Sequence, residues 1–111
     1  MAEQIMKNIN SEEVLSLAGQ VAVMPGQIVS KTLVQNKAVS ITLFAFAKGE
    51  EISTHESDGD AMVTILEGTG KLTVDGKEYV AHAGDTLIMP SRKPHAVFAE
   101  EDFKMILVVV F

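Results

Sequence analysis

The sequence predicts an all-β domain, a closed barrel or sandwich with one short helix at its N-terminal end. Three observations carry this. From Gln20 onward, short apolar runs alternate with turn residues, the pattern of short strands in a sandwich or barrel. Asp75-Gly76 stands between Lys71–Val74 and Lys77–Val80, and Asp-Gly suits the type I′ turn of a tight hairpin. Several runs, Ile41–Ala47 and Met105–Phe111 among them, are apolar at nearly every position, whereas a strand with one wet face would alternate.

The helix is expected first. Asn10 can cap it, Glu13 can close a capping box, and Gly19 is a natural stop. Val14, Leu15, Leu17 and Ala18 give it an apolar side, and so short a helix must dock on something. The expected strands are Ile28–Val34, Ala38–Ala47, Ala61–Leu66, Lys71–Val74, Glu78–Ala81, Thr86–Met89, His95–Ala99 and Phe103–Phe111. Between them lie breaks such as Met24-Pro25-Gly26, Gln35-Asn36-Lys37 and Glu67-Gly68, where glycine, proline and asparagine supply turn conformations. No internal repeat, low-complexity tract or linker divides the chain. It reads as one domain over 1–111, a helical segment at 1–20 and the barrel at 21–111.

Composition bounds the function. A chain of 111 residues with 47% hydrophobic residues can fill one core. The net charge of −6 repels phosphate backbones and anionic lipid, so nucleic acid and membrane are not expected partners. The absence of cysteine excludes disulfides, thiol catalysis and thiolate metal sites, and fits a cytoplasmic location. The polar N-terminus is no secretory signal. The longest apolar run, Met105–Phe111, is far short of the roughly 20 residues that span a bilayer as a helix. Strands apolar on both faces suggest that one face fills the barrel and the other meets a second copy, so a homodimer is expected.

Two stretches carry chemistry. Gly49–Gly68 reads GEEISTHESDGDAMVTILEG and Gly84–Ala99 reads GDTLIMPSRKPHAVFA. Together they resemble the paired motifs of the cupin superfamily, the small single-domain kind. Gly49, His55 and Gly68 fit the first motif, and Gly84, Pro90 and His95 the second. The resemblance implies a double-stranded β-helix, or jelly-roll barrel, around a small-molecule pocket. It also implies a divalent transition metal (Mn, Fe, Ni, Zn or Cu) held by three histidines and a glutamate. Here the motif is incomplete. Ser57 stands at the second histidine position and Ala61 at the glutamate position. Arg92 and Ala99 replace the usual glycine and asparagine.

Two imidazoles alone make a poor metal site, since zinc enzymes generally use three protein ligands. A carboxylate could complete a facial triad of two histidines and one carboxylate. Asp60 is the candidate, one residue before Ala61. Alternatively no metal is held. Residues i and i+2 of a strand share a face, so Ser57 should accompany His55, and Ala61, Val63, Ile65, Val97 and Ala99 should face inward. Ser57, Ala61, Val63, Val97, Ala99 and, apart from this parity, Met89 are expected to line the pocket. Met62, Met105 and Phe44 either line it too or fill core gaps. His82, Arg92 and Lys93 read as surface or rim residues. Three functions follow. One is a small-molecule-binding domain with a reduced metal site. Another is an enzyme acting on a small acid or sugar, using either a metal or a histidine base. The last is a non-catalytic sensing or structural module.

Overall fold

The alternation of inward apolar and outward polar residues sets which strands face each other. The computed structural model describes residues 4–111. Its strands are β1 (Ile28–Gln35), β2 (Val39–Phe46), β3 (Glu51–His55), β4 (Asp60–Val74), β5 (Lys77–His82), β6 (Thr86–Met89), β7 (His95–Phe98) and β8 (Phe103–Val110). All pairings are antiparallel. One sheet joins β1, β2, β8, the first half of β4 and β6. The other joins β3, β7, the second half of β4 and β5. The jelly-roll barrel implied by the motifs is the fold observed.

The strand β4 is the hinge between the sheets. The sequence predicts two strands broken at Glu67-Gly68, but the chain runs through as one of 15 residues. Its register shifts between Ile65 and Glu67, and Gly68 takes φ +77°. A bulge followed by a left-handed glycine bends a strand without ending it. A Cβ on Gly68 would collide with the carbonyl oxygen of Asp102.

Between the sheets lies the main core. Ala61, Val63, Ile65, Met89 and Met105 enter it from one side, and Leu72, Ala81 and Val97 from the other. Phe46 stacks on Phe103 with ring centroids 4.7 Å apart. A second cluster lies outside, with Val21, Leu33, Val34, Leu43 and Ala45 at its centre. Leu33 and Val34 are neighbours and both buried, because the β1 register skips Leu33 between Thr32 and Val34.

The N-terminal helix is a correction. The only helical turn among the described residues is a 3-10 turn at Ala18–Gln20. Glu12 takes φ +57°, a left-handed conformation that an α-helix cannot contain, and the Asn10 side chain meets Glu13 Oε2 at 3.4 Å instead of capping a backbone. The segment lies against the edge strand. Lys7 N–H donates to the Leu33 carbonyl at 2.8 Å and Asn8 Nδ2 to that of Thr32 at 2.8 Å. Ile9, Leu17, Val21 and Val23 cover the outer side of β1 and β2. The double burial of β2 is therefore met within the chain. On β8, β4 and β6 the same outer side stays uncovered, with Met62, Ile88 and Val110 exposed.

Candidate functional site: a histidine pair at one end of the barrel

Each motif histidine sits at an end of a strand, and the two strands are neighbours. His55 closes β3 and His95 opens β7, and they are direct register partners. The run that forms β3, Glu51-Ile52-Ser53-Thr54-His55, is mostly polar and stands outside the expected apolar strands, although the face shared by His55 and Ser57 presumes a strand there. It lies at the edge of its sheet, where little apolar surface is needed.

The two Nε2 atoms are 3.0 Å apart and the rings meet edge to face, centroids 4.2 Å apart. His55 Nδ1 faces the Ser53 carbonyl at 2.9 Å, and His95 Nδ1 faces the Lys93 carbonyl at 3.1 Å. A carbonyl only accepts, so each Nδ1 carries the hydrogen. The neutral form of either ring then has its lone pair on Nε2. Two lone pairs aimed at each other repel, so the arrangement demands a positive charge between or beside them. A shared proton supplies it, and so does a metal ion. Nitrogens about 2.0–2.1 Å from one ion, at angles between square and tetrahedral, stand about 2.9–3.4 Å apart. The observed separation falls in that range. Donation of the other ring N–H to a backbone carbonyl is also how ligating histidines are usually oriented.

The two rings differ in surroundings. His95 is buried and His55 exposed. Burial, followed by the nearby charge of His55, lowers the pKa of His95 below its ordinary value, against a smaller opposing effect of the Lys93 carbonyl. The desolvated ring resists protonation and keeps its lone pair available.

Asp60 does not join the pair. Its Oδ1 accepts the Ser91 N–H at 2.9 Å, and among the described residues no group of three His, Asp or Glu side chains is placed to hold a metal. Ser57 lies beyond the end of β3, so strand parity no longer governs it. Its Oγ accepts the Gly59 N–H at 3.2 Å, and its carbonyl accepts the Arg92 N–H at 2.8 Å. Asp60 and Ser57 thus stitch together the two loops that carry the histidines. Arg92 has φ +63°, which accounts for a glycine preference there.

Ala61, Val63, Met89, Val97 and Ala99 are at most 3% exposed and pack in the main core. Strand parity put Ala61, Val63, Val97 and Ala99 inside, where they are, but inside is filled with side chains. Met89 and Met105 belong to that filling, and Phe44 packs at its margin, whereas Met62 is on the outer side. His82 is exposed, its Nδ1 3.1 Å from Thr69 Oγ1. An open groove of about 420 Å³ lies between β5 and β6, and neither histidine is part of its lining. Its lining includes Val74, Leu87 and Tyr79, none of which the motif pointed to. Of these, Val74 is the register partner of His95.

The Cupin domain family profile matches residues 42–111, from β2 through both histidines to the last residue. The chain belongs to the cupin family. Solved cupin-fold structures match it closely. A conserved protein of unknown function from Streptococcus pyogenes is 44% identical with a TM-score of 0.96, over 99% of this chain and 96% of that one. A cupin superfamily protein from Desulfitobacterium hafniense is 34% identical with a TM-score of 0.91, over 96% and 97% of the two chains. A 5-nitrosalicylic acid 1,2-dioxygenase from Bradyrhizobium sp is 34% identical over 62 residues, which is 56% of this chain and 30% of that enzyme. The cupin described here thus spans less than a third of that enzyme's length.

Proposed function

We propose that this cupin binds a small molecule at its histidine pair, and that His55 and His95 hold one divalent transition metal there through two nitrogens. The observation that carries this reading is the 3.0 Å Nε2 separation with both Nδ1 atoms committed to carbonyls. The donor set fits half of a coordination shell. It leaves the remaining positions to solvent or to a chelating ligand, so the metal is held weakly. A bound metal would act as a Lewis acid toward an oxygen of the ligand. The protein's own share is to keep two lone pairs aimed at one point, one of them on the desolvated ring of His95. The similarity of part of the chain to a 5-nitrosalicylic acid 1,2-dioxygenase supports a small acid as the ligand. The shortage of protein ligands speaks for binding rather than for dioxygen chemistry.

The test is metal uptake by protein purified without chelator. Titration with Ni²⁺ or Cu²⁺ is expected to saturate at about one ion per chain, with dissociation constants in the micromolar range, about −8 kcal/mol. His55→Ala and His95→Ala should each abolish saturation, while Asp60→Ala should retain it. Uptake that is undiminished in His55→Ala would overturn the reading. Loss of uptake in a folded Asp60→Ala would restore that carboxylate as a ligand.

A second reading rests on the lowered pKa of His95. In it the pair works without metal as a proton-sharing base, the buried ring accepting from the exposed one.

A further inference from the structure

The groove between β5 and β6 has a chemistry that the histidine pair does not explain. Its walls are Val74, Tyr79, Leu87, Ile88 and Pro90, and its rim carries Lys77, Lys93 and Asp75. A space of about 420 Å³ is within the range of small-ligand sites, which are mostly apolar with a few fixed polar groups. The rim holds two ammonium groups against one carboxylate, on a chain whose net charge is −6. Lys93 Nζ is 3.7 Å from Asp75 Oδ2, with both side chains more than half exposed. Such a bridge is worth little and is easily given up to a better anion. Lys77 has no carboxylate partner among the described residues; its Nζ lies 5.3 Å from the centre of the Tyr79 ring.

We infer that this groove takes a small monocarboxylic acid with an apolar body, its carboxylate on Lys77 and Lys93 and its body on Tyr79, Leu87 and Val74. The groove adjoins the histidines through two links. Val74 is the register partner of both Lys77 and His95, and the Lys93 carbonyl faces His95 Nδ1. Both links run through the backbone, since neither histidine lines the groove; the inference rests on the reading above for the ligand class it names.

The chain has one tyrosine and no tryptophan, so its tyrosine emission reports this groove alone. Hexanoate and hexanamide are the probes, equal in shape and differing in charge. Hexanoate is expected to change Tyr79 emission saturably and to release or absorb heat in calorimetry. Hexanamide should bind at least about tenfold more weakly, and added salt should weaken hexanoate alone. The Lys77→Met/Lys93→Met double variant, altered only at exposed side chains, should lose at least about tenfold in hexanoate affinity. Equal binding of the two probes, an undiminished double variant, or no saturable response would each overturn the inference. The two readings fail separately. Hexanoate binding without metal uptake would sink the metal reading and leave the groove. Metal uptake without hexanoate binding would do the reverse.

Discussion

At the scale of single residues, His95 adds a pH dependence to the stability of the fold. Its folded pKa is lowered, mainly by burial, so in the window below the ordinary value of 6.5 the unfolded chain binds more protons than the folded one. Stability from this group is complete above that value. It is lost as pH falls through it toward the lowered folded value, and the loss stops below that. Urea midpoints measured with chelator present should therefore drop as the pH is lowered through 6.5, and by less in His95→Gln. An equal drop in both proteins would show that other groups carry it. The exposed His55 completes the pair from solvent, so the centre is half sheltered and half open.

At the scale of elements, β4 depends on one glycine. Gly68 has φ +77° and its missing Cβ makes room for Asp102 and Phe103. Gly68→Ala is expected to cost about 2 kcal/mol or more, read from the shift in denaturant midpoint. A neutral substitution would mean that the bend can form elsewhere along the strand. The same strand shows how far the sequence could be read. Glycine at Glu67-Gly68 marked a change of direction correctly, but sequence alone does not distinguish a break from a bend. That depends on β8 and β7 being there to pair with both halves. The strands Thr86–Met89 and His95–Phe98 were legible because their apolar runs end at prolines and turns. The polar edge strand β3 was not. The N-terminal helix was misread because Asn10 and Glu13 satisfy a local capping pattern, while contacts with β1 far along the chain decide the conformation. In the site, the meeting of His55 and His95 was legible from paired motifs. The side-chain roles of Asp60 and Ser57 were not, because loop hydrogen bonds have no sequence period. The groove stayed hidden because its lining comes from β4, β5, β6 and the loop before His95, with no shared motif.

At the scale of the whole molecule, the uncovered outer side of β8, β4 and β6 is the feature that points outward. Met62 is directly opposite both Val108 and Ile88 in register, so these apolar side chains form one row. Val110 and Phe111 extend the exposed apolar surface. An uncharged row is its own complement, and a two-fold axis through it would bury both copies of the row. The homodimer expected from sequence is thus proposed to form here. Sedimentation at micromolar concentration should give a species of twice the chain's 12.0 kDa, and Met62→Lys should return it to the single-chain mass. A wild-type chain sedimenting at the single-chain mass would refute this. No helix among the described residues is long and apolar enough to cross a membrane.

The strand shared between the two sheets also governs how the molecule comes apart. Peeling away one sheet would strip hydrogen bonds from half of β4 while the other half stayed paired, and the packed interior would be left facing water. Neither layer has a boundary along which it can open alone. His95 on β7, held between β3 and β4, shares the fate of the barrel, while His55 at the end of the edge strand β3 can part from it by local opening.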